Sequence, residues 1–441
     1  MWRRVESLGR DHYMLNYRIL LTVGCSLLCS IAIAPVVAAP APSAYHGQTY
    51  HIRPAELPLP HATRSVINVP KIIPQPKGVE LKAPPGFRVS VFAAGLIHPR
   101  WLTVAPNGDV FCVESRVETN AVAQPHRVVL LRDSNGDGKA ELRHTFTTDL
   151  NLPFGIAIHQ NYLYVANTGS VVRWPYHDGQ LQAEGAPEVV IKGLPERGYN
   201  QHWTRNILFA PSGKSLFVTI GSLNNIGIEE PRRAAISAYP LGPDGLPNGN
   251  PTLYATGLRN PVGLAFNPRT GALWATNNER DYLGDDLVPD FLTAIHPGGF
   301  YGWPYYYLGR YHNPGMPERP DLRRQVIVPD VLFQAHSSSL GLCFYTAHQF
   351  PASYWGDAFV ALHGSQNRHR RTGYKIVRVR FDKSGKPVGG YEDFITGWML
   401  GPDRKEVWGR PAGLALDRFG ALLIADDAGQ KIWRVTYQDR G

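Results

Sequence analysis

The chain has 441 residues, 43% hydrophobic and 18% charged, which is long enough for a large core and too apolar for an intrinsically disordered chain. Its formal net charge is +9, yet no run of Lys and Arg is dense enough to suggest nucleic acid. Cys25 and Cys29 lie in an apolar N-terminal run and the two remaining cysteines are too few for a metal framework, while 44 Gly, 37 Pro and 11% aromatics point to many tight turns joining short strands.

In chain order, residues 1–39 come first. Arg3, Arg4, Arg10 and Arg18 precede an apolar run over residues 19–39, with small residues near Val36 and Ala38. This is a targeting segment: a cleaved signal peptide, or an N-terminal membrane anchor, since about 20 apolar residues span a bilayer. It predicts a periplasmic or secreted protein, with membrane association if the leader is kept. Residues 40–80, rich in Pro, His and Ala, predict an extended arm that wraps the body.

From residue 81 to 441 one phrase recurs: a turn, a polar residue or Pro, a short apolar strand, a Gly turn and a second apolar strand. Six copies start at Gly95, Asn151, Gln201, Gly257, Ser337 and Gly409. A period in this range signals a solenoid or a propeller. The copies are β-rich with no long amphipathic helix between them, which predicts an all-β, six-bladed β-propeller of four-stranded antiparallel blades. Closure removes the open edges of the blades. The predicted closing device pairs "GFRVSVFAAG", residues 86–95, with the C-terminal "KIWRVTY". Cys112 and Cys343 fall in strands of distant repeats, so no disulfide is expected between them.

In a propeller the segments entering each innermost strand meet at one mouth of the channel. His98 and Arg100, Asn151, His202 and Arg205, Arg259 and Asn260, His336 and Ser337, and Arg410 therefore become neighbours. Cations gathered in a partly desolvated funnel repel one another unless an anion is present, which points to a ligand with several carboxylates or phosphates. The bland alternative pairs each Arg with a local acid. His202, just ahead of a strand, reads either as a packed histidine or as a base for an alcohol proton. The basic run at residues 368–371 reads as a solvated loop or an anion site.

Two acidic loops suit a hard cation. "NNERDYLGDDLVPD", residues 277–290, gathers oxygen donors beside Gly and Pro, and reads equally as a solvated loop. "DSNGDGKAE" places Asp133, Asn135, Asp137 and Glu141 at positions 1, 3, 5 and 9 of an EF-hand-like loop, with Gly138 at position 6. Position 12 is His144 and no helix pair flanks it, so the reading is a structural Ca²⁺ loop between strands or a metal-free polar turn.

The stretches "NQHWTRN", "GLRNPVGLAFNPRTGALWATNNERDYLGDDLVPD", "GGFYGWPYYY", "SLGLCFY", "HGSQNR" and "GRPAGLALDRFGALLIADDAGQKIWRVTY" together resemble the soluble quinoprotein glucose/sorbosone dehydrogenases, in particular the sorbosone branch. The resemblance implies a six-bladed propeller using pyrroloquinoline quinone (PQQ) and Ca²⁺ to oxidise a sugar, aldose, sorbosone or polyol, with an electron acceptor that this chain does not encode. It implies His202 as general base, Arg259 and Asn260 beside the quinone oxygens, and Arg410 and Arg368 on cofactor carboxylates. It places Glu279 and Arg280 where backbone carbonyls hold the catalytic Ca²⁺. Two positions depart from the glucose dehydrogenases. Ser222 stands where they have an Asp that orients the histidine, and their Gln near the second blade has no counterpart beside Asn151. The rival readings are a Ca²⁺-dependent lactonase-type hydrolase, which needs carboxylate and Asn side chains converging on a metal in the channel, and a non-catalytic propeller that binds a glycan or protein.

Overall fold

The structure is a computed structural model that describes residues 45, 47–117, 125–196 and 202–438. The targeting segment expected at residues 1–39 lies outside the described residues. The described residues all belong to one unit, Tyr45–Gly441.

Each repeat folds as a four-stranded antiparallel meander. In the first, β-branched and aromatic residues alternate around Pro-Asn-Gly and Asn-Gly turns, giving strands Pro99–Val104, Val110–Glu114, Arg127–Arg132 and Leu142–Thr147 paired in that order. The second holds Ile156–His159, Tyr162–Ala166, Ser170–Pro175 and Glu188–Lys192. The third holds Ile207–Phe209, Ser215–Ile220, Ala235–Pro240 and Thr252–Thr256, with Gly299–Phe300 added in parallel at its edge. Asn260–Phe266, Leu273–Asn278, Phe291–Ala294 and Val331–Leu332 make the fourth. Ser339–Phe344, Ala358–Leu362, Lys375–Val379 and Tyr391–Ile395 make the fifth. The sixth combines Pro411–Leu416, Leu422–Asp426 and Lys431–Tyr437 with Phe87–Ala94 from the other end of the domain. The closing pair runs antiparallel from Phe87↔Tyr437 to Ala94↔Lys431, as the sequence predicts. The protein is an all-β, six-bladed β-propeller.

Small residues on the innermost strands let the blades converge. A Cβ at Gly155 would meet Arg205 O of the third blade at 2.8 Å, and one at Gly263 or Gly341 would clash with the backbone of Leu340 or Ala412. At Gly413 of the sixth blade the clash is with Arg100 O of the first, so the same crowding that spaces neighbours also closes the ring. Between blades the faces pack as apolar layers. Trp101, Phe111, Phe146, Phe154 and Trp174 fill the gap between the first two, and Phe92, Leu102, Cys112, Leu423 and Ile432 that between the sixth and the first. Each such buried large side chain contributes roughly 1.5–3 kcal/mol. Cys112 and Cys343 are unbridged thiols.

The register decides where chemistry can gather. The first residue of an inner strand pairs with the last of the second strand: Pro99↔Glu114, Asn260↔Asn278 and Pro411↔Asp426. Segments entering first strands and segments leaving second strands therefore share one face of the ring. The arm lies along the body on blades four to six. Thr49–Tyr50 adds a strand to the fifth blade, and Lys71–Ile72 pairs in parallel with Glu406–Val407.

Candidate functional site

One cavity of about 730 Å³ opens on that face, and its walls come from both kinds of segment. His202, Arg259 and Arg410, together with His98 and His336, enter it ahead of first strands, Arg100 and Asn260 from the starts of first strands, and Glu279, Asp281, His363 and Asp427 from the ends of second strands.

His202 is 5% exposed. Its Nδ1 lies 3.0 Å from both the carbonyl oxygen and the hydroxyl of Ser222. That hydroxyl donates to Asn224 O at 2.6 Å, so Nδ1 carries the hydrogen and Nε2 the lone pair. Burial, and then the nearby Arg259 guanidinium, push the His202 pKa well below its ordinary value, so the ring is neutral at pH 7. Ser222, the residue in place of an orienting Asp, thus holds the imidazole with a carbonyl and a hydroxyl. Gly221 makes room beside it: a Cβ there would clash with Asn260 Oδ1 and lie 3.0 Å from His202 Cβ.

Arg259 is tightly committed. Nη1 donates to Glu279 O at 2.6 Å, Nε to Asn225 O at 3.3 Å, and Nη2 to Asn225 Oδ1 at 3.0 Å and Asp281 Oδ2 at 3.1 Å. The other oxygen of Asp281 faces His336 Nδ1 at 3.1 Å, while His336 Nε2 donates to Gly284 O at 2.9 Å. Burial opposes both ionised forms, yet Arg259 and His336 hold the Asp281 pKa well below the carboxylate range and Asp281 raises that of His336. Burial pushes the Glu279 carboxyl up to about 8 and Asp290 up to about 6.

The opposite wall centres on Asp427. It pairs with Arg100 and accepts from His363 Nε2 at 2.9 Å. Burial and then Arg410 bring the His363 pKa down to about 4, so His363 is neutral at pH 7. Arg410 reaches the carbonyls of His363 and Gly364 at 3.3 Å. At the rim, Arg116 Nη1 lies 3.3 Å from His98 Nε2.

The arrangement corrects the picture of an uncompensated cationic funnel. Arg100, Arg116, Arg259 and Arg410 share the cavity with Glu279, Asp281, Asp290 and Asp427, and two of the arginines hold a carboxylate directly. The surplus positive charge is confined to the Arg410 and Arg116 side. Buried polar atoms with no hydrogen-bond partner among the described residues include Asn260 Oδ1, Asn278 Oδ1 and Arg100 Nε, all on residues lining this cavity. Such atoms are uncommon in a finished core; others lie away from the cavity, among them Tyr176 Oη and Trp274 Nε1.

Several expected residues do not arrive. Arg368 is corrected: its guanidinium bonds Asp286 at 3.0 Å and Ala335 O at 3.4 Å and does not line the cavity. Arg280 sends its side chain to Asn313 and Pro314 O, each at 3.2 Å, and the Glu279 carbonyl proposed for the metal already accepts from Arg259. Arg205 caps the carbonyls of His202 and Thr204 at 2.9 and 2.8 Å, and burial pulls its pKa down to about 9. It supports the His202 loop from beneath. Asn151 lies outside the cavity, its N–H donating to Asn167 Oδ1 at 3.1 Å. In the EF-hand-like loop, ligand atoms of Asp133, Asp137 and Glu141 lie within 4.8 Å of one another. Their oxygens, with Asn135 Oδ1, accept from the loop's own N–H groups, as in a polar turn. The loop is remote from the cavity.

A family model described as TrAA12-like matches residues 81–296 and 321–438. An uncharacterized protein of Borreliella burgdorferi is 27% identical over 367 residues, covering 81% of this chain and 91% of its own. A pyrroloquinoline quinone-dependent sugar dehydrogenase of Hypocrea jecorina is 22% identical over 405 residues, covering 79% and 87%. Among solved structures, a calcium structure of the Trichoderma reesei Carbohydrate-Active Enzymes Family AA12 superposes with a TM-score of 0.69 at 22% identity, over 82% of this chain and 98% of that one. The holo pyranose dehydrogenase PQQ domain of Coprinopsis cinerea gives 0.66 at 20% identity, over 84% and 100%. At these identities the superpositions speak for the propeller.

Proposed function

The chain belongs to the TrAA12-like family, and from that premise we propose that it is a PQQ-dependent sugar dehydrogenase with Ca²⁺ as a second cofactor and His202 as general base. One observation carries the reading: His202, Arg259 and Arg410, from three different blades, line a single cavity. The chemistry is supported by relatives that are PQQ-dependent sugar and pyranose dehydrogenases.

The walls fit the cofactor. Arg410, whose hydrogen bonds go to carbonyls, and Arg100, whose Nε has no partner among the described residues, would hold its carboxylates. Arg259 and Asn260 would face its quinone end. Oxygen donors gather around Asn260, Asn278 and Glu279, which is the side we assign to Ca²⁺. When bound, PQQ supplies a two-electron acceptor that takes hydride from the substrate carbon. His202 Nε2 takes the hydroxyl proton, and the Ser222 carbonyl and hydroxyl hold the ring in the tautomer that can do so. Asn225 and Asp281 fix the Arg259 guanidinium beside it. A lactonase-type hydrolase requires carboxylate and Asn side chains converging on one ion in the channel, whereas here the Asp281 and Asp427 carboxylates are held by Arg259 and Arg100. On the leader reading of residues 1–39, we place the enzyme outside the cytoplasm.

The test is reconstitution. Apo-protein titrated with PQQ in the presence of Ca²⁺ should show saturable absorbance changes and reduce a dye with an aldose, sorbosone or polyol; no binding ends the proposal. Arg410→Ala should weaken PQQ binding by about 30-fold or more, the scale of losing one partner of a charged pair in a desolvated site. The pH profile follows from His202. Its neutral form is the active one, and its pKa lies well below 6.5. The acid limb of kcat/KM should therefore fall at a pH clearly under 6.5, and an acid limb centred at or above 6.5 would remove His202 from the role.

A further inference from the structure

The basic run at residues 368–371 is solvated at His369 and Arg370, and it also fastens the arm and the loop beneath it through its side chains and carbonyls. Arg368 and His369 bond Asp286 and Asp285 of the fourth blade, each at 3.0 Å. Arg371, 3% exposed, gives Nη1 to Asn68 O at 2.7 Å and Nη2 to Asn68 Oδ1 at 2.8 Å and Val69 O at 3.2 Å. Asn68 answers by donating its side-chain amide to the carbonyls of Arg368 and His369 at 3.2 and 2.9 Å, and its N–H to Gln366 O at 2.7 Å. On one side of this latch, Thr63 Oγ1 accepts from the Asp285 N–H at 2.7 Å. On the other, Lys71 and Ile73 donate to the carbonyls of Lys405 and Val407 at 2.8 and 2.9 Å.

All the loops held in this way belong to the face on which the cavity opens, and they belong to blades four, five and six. Gln366 is itself a lining residue, and so is Ile72, an isoleucine left 46% exposed at the cavity wall. The arm precedes residue 81, where the family match begins.

We infer that residues 63–72 form a fixed strap across the blade-four-to-six side of the cavity mouth, and that Ile72 sets how large a sugar can enter. For its substrate class this rests on the dehydrogenase reading. A cavity of about 730 Å³ is within the range of pockets that enclose a small ligand. An oligosaccharide longer than the cavity extends through its mouth. The strap denies that path over blades four to six and presents an apolar side chain there, where a glycan hydroxyl would be left without a partner.

Two measurements test this, one of them independent of any cofactor. In a Ser338→Cys background, a thiol placed in the cavity wall, alkylation by N-ethylmaleimide is compared with alkylation by a polymer-linked maleimide, after subtracting the parent chain's labelling. Arg371→Ala, which unlatches the strap, and Ile72→Gly, which leaves the latch intact, should each accelerate the large reagent relative to the small one. An unchanged size dependence in both variants overturns the inference, whether or not the protein binds PQQ. In the PQQ-loaded enzyme, the ratio of kcat/KM for an oligosaccharide to that for its monosaccharide should rise by about tenfold in Ile72→Gly, the scale of one altered apolar contact in a specificity pocket. A ratio equal to that of the wild type overturns the assignment of Ile72, while monosaccharide turnover by the wild type reports separately on the dehydrogenase reading.

Discussion

His202→Ala should lower PQQ-dependent turnover by about 10²–10⁴-fold, the range supplied by a positioned general base, while leaving PQQ affinity near that of the wild type. The two halves of this expectation have separate causes. Turnover falls because no other imidazole in the cavity is available for the role: His98 Nε2 faces Arg116, His363 donates to Asp427, and both nitrogens of His336 are taken by Asp281 and Gly284. Affinity persists because a neutral ring adds no charge to the attraction between a tricarboxylate and the arginines. Ser222→Ala is the companion measurement. It deletes the hydroxyl and keeps the carbonyl that also accepts from Nδ1, so it should cost only about fivefold, the worth of one hydrogen bond of about 1 kcal/mol. A packed histidine without a chemical role predicts the reverse pattern: a loss of thermal stability in His202→Ala with turnover per folded molecule preserved. Partial rescue by added imidazole would further separate a missing base from a misshapen site.

The parts of this protein that were legible in its sequence are those specified locally. Each repeat carries its own turn chemistry and alternation, so six blades could be counted. The C-terminal strand Lys431–Tyr437 lacked a following partner, which pointed to Phe87–Ala94. The first ring of cavity residues followed from the same logic, since His202, Arg259 and Arg410 each stand just ahead of an inner strand. The second ring was missed as a group because it depends on register: only when Pro411 is seen opposite Asp426 does the segment holding Asp427 fall on the same face as Arg410. His363 was hidden in the same way. Ser222 acts partly through a carbonyl, which residue identity does not advertise. Arg371 is a further case. Its basic neighbours suggested solvent or an anion, and its partner Asn68 lies 303 positions away in a segment outside the repeats.

Asp427→Ala is expected to be among the most destabilising single substitutions in the propeller, at about 3–5 kcal/mol for breaking a buried ion pair by removing one partner, measured by urea unfolding without cofactor. The carboxylate sits between Arg100 and His363 and within the field of Arg410. Burial alone would favour its protonated form, yet these neighbours hold its pKa well below the carboxylate range. Its removal leaves the Arg100 guanidinium buried and unpaired, takes the acceptor from His363, and allows Arg100 and Arg410 to repel each other directly. Those cations are also the groups assigned to the carboxylates of PQQ. An anionic ligand binding only the folded state stabilises it by mass action, and in the variant it also replaces the missing negative charge. The rise in melting temperature on adding saturating PQQ should therefore be larger in Asp427→Ala than in the wild type, even though the variant begins lower. Asp427→Asn, which keeps an acceptor for His363 but not the charge, should fall between the two. If PQQ raises the melting temperature of all three proteins equally, its carboxylates lie elsewhere, and the Arg100–Arg410 wall is a structural ion cluster rather than the cofactor's anchor.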